Sequence, residues 1–301
     1  MELFAAGFNA WRQLEFGSES LSNEPDDILS FQSVLKDDVI EHPCAFLSYT
    51  LVKTTSGIRE AGYVEDSEVL ARLKDKFLSS TAAVAGNGIV AEYDGANTIF
   101  QYSSGPVTQK GVKQEFSGMG QIIQLGAFET GFVALTQDGH VWTWGDERYA
   151  ACLGRDITDT NPAERPGIVE ELEDLPTGKV KKISAAGYHI LALTEGHDLY
   201  AWGGQPGRRP LVEDLSGSPM PVVVEESDIL DCSAGDSHMI VLTEQGDVYV
   251  IGDNTNGQLG LPVKEATSWT KVPIALQAGH SVVGVQAGQR TSFILAKCEA
   301  P

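Results

Sequence analysis

Apolar and polar positions alternate along most of the chain, in short runs broken by polar turns. Successive side chains of a strand point to opposite faces, so this alternation predicts half-buried β-strands. Three segments share one pattern: GFVALTQDGHVWTWGD from Gly131, YHILALTEGHDLYAWGG from Tyr188 and SHMIVLTEQGDVYVIGD from Ser237. Each is an apolar run ending in Leu-Thr, a polar turn with a glycine, and a second alternating run ending in Gly. The offset from that Thr to the closing Gly is nine residues in all three. Val, Ile, Tyr, Trp and Thr suit strands. Turns such as Asp138-Gly139 and Gln245-Gly246 supply the positive φ of a tight hairpin. Each unit therefore predicts a hairpin. A further strand precedes it, as GQIIQLGA, KVKKISAAG, DILDCSAGD and SVVGVQAGQ, with small residues that let neighbouring sheets approach.

Weaker copies follow the same template. YTLVKTTSGIREAGY keeps the offset between Lys53 and Gly62, and GIVAEYDGANTIFQYS turns at Asp94-Gly95. The last copy, QAGQRTSFILAK, has one strand of the pair, and LFAAGFN near the start supplies the other with Gly7. The reading is a single domain over 1–301, with units at 44–62, 80–105, 120–154, 180–204, 229–261, and 282–298 closed by 1–17. Sheets repeated around an axis predict an all-β, closed β-propeller of six to seven blades. Pairing of the N-terminal strand with the C-terminal half-repeat closes the ring and removes exposed edges. Residues 63–90 and 253–282 are the two places for a seventh blade. Within Asp66–Leu78, Val69, Leu70, Leu73 and Phe77 stand at helical spacing and predict a short helix packed inward.

Some units run on past the Gly: GDNTNGQLGLP (252–262), GFNAWRQLEFG (7–17) and a degenerate GDERYAACLG (145–154). With AGDSHMIVLTEQGDVYVIGDN, this string resembles the repeat of the regulator-of-chromosome-condensation propeller family, strongly over 120–301 and faintly over 40–110. WD-type repeats need Trp-Asp endings and kelch repeats need recurring Gly-Gly doublets, of which only Gly203-Gly204 is present. The resemblance implies a non-enzymatic scaffold for protein–protein interaction. Through the family's founding activity it also implies guanine-nucleotide exchange on a Ran-like small GTPase. Through small fungal-type members it implies an accessory role in tRNA wobble-uridine and diphthamide modification, bound to a small metal-binding protein. Another member implies a chromatin-associated oxygenase as partner. The family's GTPase wedge maps onto no residues here, and repeat residues already begin at Leu3.

Charge narrows the partners. Lys and Arg number 21 against 42 Asp and Glu, a net charge of −21 over 301 residues. Such a surface repels phosphate backbones and anionic lipid, so neither direct nucleic-acid binding nor membrane association is expected. Cys44, Cys152, Cys232 and Cys298 form no CxxC pair, which reads as reduced thiols of an intracellular protein, cytoplasmic or nuclear, without a zinc site. A monomer is expected.

Catalytic signals are thin. Asp236-Ser237-His238 holds three triad residue types, but adjacency in sequence is not triad geometry. SGMGQ lacks the Lys-Ser/Thr of a phosphate loop, and His42, His140, His197 and His280 are isolated. The expectation is no enzyme, no cofactor and no metal. His189 and His238 recur with the repeat and are assigned to core or inter-blade hydrogen bonding. Asn9 and Asn254 are assigned to local Asx turns, and Trp142, Trp144 and Trp202 to packing between blades. Acidic residues gather between repeats, as at Glu19 to Glu41, Glu164 to Asp174 and Glu213 to Asp228, where they can steer a basic partner. Four residues past the repeat Gly stand Trp11, Tyr149, Gly207 and Asn256. Trp11 and Tyr149, as exposed loop aromatics beside Arg12, Arg148 and Arg208, form the expected partner-binding set, since Trp, Tyr and Arg dominate interface hot spots.

Overall fold

The computed structural model describes residues 1–17, 24–64, 67–102 and 112–298. It contains two compact units, Met1–Ser67 with Val224–Pro301, and Glu68–Val223. Strands are numbered along the chain. In the first unit, β1 (Glu2–Gly7), β2 (Ile28–Lys36), β22 (His280–Ala287) and β23 (Thr291–Cys298) form a sheet in the order β2-β1-β23-β22. A second sheet holds β18 (Ile229–Ala234), β19 (His238–Thr243), β20 (Val248–Asp253) and β21 (Glu265–Lys271). A third holds only β3 (Cys44–Ala45), β4 (Tyr49–Thr54) and β5 (Gly57–Gly62).

The second unit also has three sheets. They are β6 (Ala82–Val84) to β9 (Val112–Ser117) through β7 (Val90–Tyr93) and β8 (Thr98–Tyr102); β10 (Ile122–Phe128) to β13 (Gly167–Ile168) through β11 (Gly131–Thr136) and β12 (Val141–Gly145); and β14 (Val180–Ala186) to β17 (Met220–Val222) through β15 (His189–Thr194) and β16 (Leu199–Gly203). The chain is an all-β propeller of six blades. Residues 63–90 hold a helix, α1 (Ser67–Leu78), and β6, whereas 253–282 hold β21 and the start of β22, so neither makes a seventh blade. Leu73 and Phe77 of α1 are buried, Asp66 lies outside the described residues, and so do the side chains of Val69 and Leu70.

The recurring Gly has a backbone cause. Gly203 and Gly252 adopt φ of 113° and 115°, opposite His189 and His238, and a side chain there would strike the carbonyls of Tyr188 and Ser237. Only glycine fits such a left-handed, crowded position. The first hairpin strands differ from the half-buried reading. All six residues of each of β11, β15 and β19 are buried, because both faces are covered, which explains their near-continuous apolar runs. The chain's first strand is paired with its last, Leu3 opposite Leu295, and both are buried.

Tryptophans fill the seams between blades. Trp144 packs among residues of the β6–β9 and β10–β13 sheets and donates its Nε1–H to Gln101 Oε1 at 2.9 Å. Trp202 packs between the β10–β13 and β14–β17 sheets and donates to the Cys152 carbonyl at 3.2 Å. Trp142 is half-buried at the edge of the first seam.

Candidate functional site

The loops after β1 and β20 are built on one frame, in which Gly7, Asn9, Gln13 and Leu14 take the places of Gly252, Asn254, Gln258 and Leu259. Asn254 Oδ1 accepts the Leu259 N–H at 2.7 Å, and its Nδ2 donates to the carbonyls of Leu261 (2.8 Å) and Val263 (2.5 Å). Asn9 Oδ1 likewise accepts the Leu14 N–H at 3.0 Å, while Nδ2 donates to the Asp26 carbonyl (3.2 Å) and Glu15 Oε1 (2.9 Å). These amides close five-residue loops and reach beyond them. They do not make the short Asx turns expected, because the loop carbonyls curl back toward the side chain. Gln13 and Gln258 accept the N–H of Trp11 and Asn256, both at 2.9 Å. Gln13 Nε2 also ties the loop to the Leu47 carbonyl at 3.0 Å. Leu14 and Leu259, both fully buried, anchor each loop to the core.

The expected site residues stand on these loop ends. Trp11 is 48% exposed and stacks on Tyr63, itself 55% exposed, with ring centroids 5.7 Å apart and planes at 25°. Arg12 beside it pairs with Glu15 at 2.7 Å. In the second unit, Asp146 caps the 3-10 segment Glu147–Cys152 by accepting the Arg148 N–H at 3.0 Å. Its carboxylate also takes the Arg148 guanidinium through Nε at 3.0 and 3.1 Å and Nη2 at 2.5 Å. That hydrogen-bonded pairing holds the Asp146 carboxyl below its ordinary range and raises the guanidinium. Tyr149 is a correction to the sequence reading. It is half-buried, packed on Tyr188 at 5.3 Å beside the apolar core, because a partner ring from another blade covers it. Arg208 lies in the exposed turn after β16, its N–H on the Gln205 carbonyl at 3.1 Å. Trp11 and Arg12 thus stand together in the first unit, and Arg148 with Tyr149 in the second.

The two recurring histidines, His189 and His238, are both buried. His238 is buried, and its Nε2 lies 2.9 Å from Ser292 Oγ and 3.2 Å from the Thr291 carbonyl of the neighbouring blade. The ring therefore bonds across the seam to Ser292. Burial depresses His189 to about 4, which keeps its imidazole neutral. His42 meets Asp231 at 2.9 Å and His140 meets Glu173 at 2.7 Å. Among the described residues no three metal-ligating side chains converge. Burial lifts the thiols of Cys44 and Cys152 to about 12 and about 11, so neither supplies a thiolate. No described helix is long and apolar enough to cross a membrane.

Two residues escaped the sequence reading. Tyr63 follows Gly62 directly, and that Gly of a faint copy was the available signal. Arg155 is buried and donates to the carbonyls of Thr143, Asn161, Pro162 and Arg165, holding the 155–166 loop closed. Asp27, read as surface charge, accepts the Asn9 N–H at 3.0 Å and Asn256 Nδ2 at 2.8 Å. Glu19 lies outside the described residues.

Two profiles of the regulator of chromosome condensation (RCC1) repeat match residues 230–258 and 245–295. The mouse regulator of chromosome condensation is 34% identical over 143 residues, 46% of this chain and 32% of that protein. Human E3 ubiquitin-protein ligase HERC2 is 30% identical over 188 residues, 58% of this chain and 4% of the ligase. The alignments therefore span less than a third of the first relative and a small part of the second. Human WBSCR16 has a TM-score of 0.68 at 15% identity, covering 98% of both chains. Saccharomyces cerevisiae Prp20p, characterised for its binding to Gsp1p and histones, has a TM-score of 0.59 at 15% identity, covering 100% of this chain and 92% of that one. At such identity the likeness establishes the fold.

Proposed function

We propose that the chain, which carries RCC1 repeats within residues 230–295, is a non-enzymatic scaffold that binds a partner protein through loops following its third strands. The observation that carries this reading is the Trp11–Tyr63 stack, two partly exposed rings, Trp11 on the loop that Asn9 and Gln13 hold and Tyr63 just after β5. Rigid aromatics give contact area at little entropic cost, and such residues anchor interfaces. Arg12 stands beside the stack in the first unit, and Arg148, Tyr149 and Arg208 are proposed as contact residues of the second unit, each unit taken by itself. Arg12 and Arg148 arrive already ion-paired, so they contribute orientation more than unpaired charge.

The test is recovery of partners by the tagged full chain from its own cell lysate at moderate salt, identified by mass spectrometry. Trp11→Ala with Tyr63→Ala is expected to reduce recovery of the specific partner by about tenfold or more. Tyr149→Ala has the smaller effect, because its ring is already covered. Undiminished recovery with an intact fold sinks the proposal. Nucleotide exchange on a Ran-like GTPase is the second reading, favoured by the likeness to Prp20p and the mouse regulator. It requires accelerated release of fluorescent GDP from such a GTPase, and an unchanged release rate rejects it.

A further inference from the structure

The second unit holds three cavities, of about 570, 460 and 270 Å³. They adjoin pairwise at shared walls. Glu164 borders the first and third, Arg165 the first and second, and Gln114 the second and third. Together they make one three-lobed groove beside the 155–166 loop. The buried Arg155, donating to four carbonyls, and Asn161 Nδ2, donating to the Asp156 carbonyl at 3.0 Å, hold that loop.

The smallest lobe presents hydrogen-bond donors, and a tryptophan dictates this. An indole N–H can only donate, so Trp144 Nε1 fixes which atom of Gln101 faces it: the oxygen, at 2.9 Å. Gln101 Nε2 then donates to Gln114 Oε1 at 3.0 Å. Gln114 is left with its amide NH2 for the lobe that it lines. Asn87, on the same lobe, accepts the Ile89 N–H through Oδ1 at 3.1 Å and so presents its NH2 as well. Two oriented donors call for carbonyl oxygens, since Asp146 and Glu164 on this lobe repel a carboxylate. The largest lobe calls for a cation. Among the described residues, Glu147, Asp159 and Glu164 line it against a single guanidinium, Arg165. The middle lobe is lined by Phe116, Met119 and Trp142.

We propose that this groove binds an extended segment of a partner protein that carries a lysine or arginine. Gln114 and Asn87 take its backbone carbonyls, the acidic lobe takes its cation, and the Trp142 lobe takes an apolar side chain. Alternate side chains of an extended segment point the same way, so the basic and apolar residues stand two apart. Charge complementarity selects this occupant, because an acidic segment or a phosphate backbone would meet the same carboxylates. The inference rests on reading the chain as an interaction module. Its assay reads the groove without Trp11 or Tyr63, so its failure leaves the aromatic contact set to be judged separately.

The probe is the capped peptide acetyl-SLSRSLS-amide, with a leucine two positions to either side of arginine so that it can lie in either direction. It is titrated into the full chain. Replacing its arginine by citrulline, which keeps the shape and removes the charge, should weaken binding by about tenfold, and glutamate should weaken it further. Glu164→Gln with Asp159→Asn should cost the arginine peptide about tenfold and leave the citrulline peptide unchanged. Gln114→Glu keeps the oxygen that Gln101 needs and turns the donor end into an acceptor. It should weaken the citrulline peptide by about tenfold while the melting temperature holds. The Trp144 indole N–H resonance should shift on binding, because polarisation passes along the chain of amides. No binding of the arginine peptide, equal binding of its glutamate form, or insensitivity to Glu164→Gln with Asp159→Asn would each overturn the proposal. So would a dimer in sedimentation that this double variant dissociates, because a second copy would then fill the groove.

Discussion

The loops after β1 and β20 share a skeleton and differ at their tips. In both, an asparagine spans the loop, a glutamine fixes the backbone at the tip, and a leucine is buried completely. At the tip, one carries Asn256 and Gly257, pressed on β2, and the other carries Trp11, exposed, and Arg12, half-buried and paired with Glu15. Residues that satisfy groups inside the loop recur because each loop must satisfy them anew. Residues that face a neighbour are free to change when that neighbour changes. At these two loops the shared residues therefore hold the scaffold, and the residues that differ stand at the tips.

That contrast can be broken by experiment. The largest effect belongs to the shared anchor. Leu14→Ala and Leu259→Ala should each destabilise the chain by about 2–5 kcal/mol in denaturant unfolding, since both are fully buried. Unequal costs would mean that the two skeletons are not equivalent. Next come Asn9→Ala and Asn254→Ala, each expected to cost about 1–3 kcal/mol by stranding a buried loop N–H and carbonyls. The tips should then diverge. Gly257→Ala places a Cβ at φ 81° against Leu29 and should cost about 1–2 kcal/mol or more. Arg12→Gly should change stability by about 1 kcal/mol at most, because it relieves a left-handed arginine at an entropic cost. The smallest effect on folding is Trp11→Ala, about 0.5–1.5 kcal/mol from the lost stack, despite its large expected effect on partner recovery.

Hairpins were legible where both a glycine and two covered faces constrain the sequence, as at 131–145, 189–203 and 238–252. Outer strands were not. β2 and β21 are mostly exposed or half-exposed, and β13 has two residues, so no period of burial is imprinted on them. At the loops, Trp11 could be read by aligning equivalent positions. Tyr149 was misjudged because its cover, Tyr188, belongs to another blade, and sequence spacing does not reveal that contact. Tyr63 was missed because its meaning comes from a stack across two blades. Asp27 looked like one acid among many until the two loop amides that it accepts were in place.

The pairing of β1 with β23 sets a clock on biosynthesis. Leu3 and Leu295 are almost the whole chain apart. At roughly 5–20 residues per second, a ribosome takes roughly 15–60 s to deliver the second strand after the first has emerged. Through that interval β1 has an open edge and a wholly apolar stretch, Leu3 to Ala6, with nothing on its β23 side. Exposed edges of this kind template wrong pairings. Of the six blades, the one built from β1, β2, β22 and β23 is thus the last to be completed during synthesis, and it is the point at which a chaperone would have most to shield.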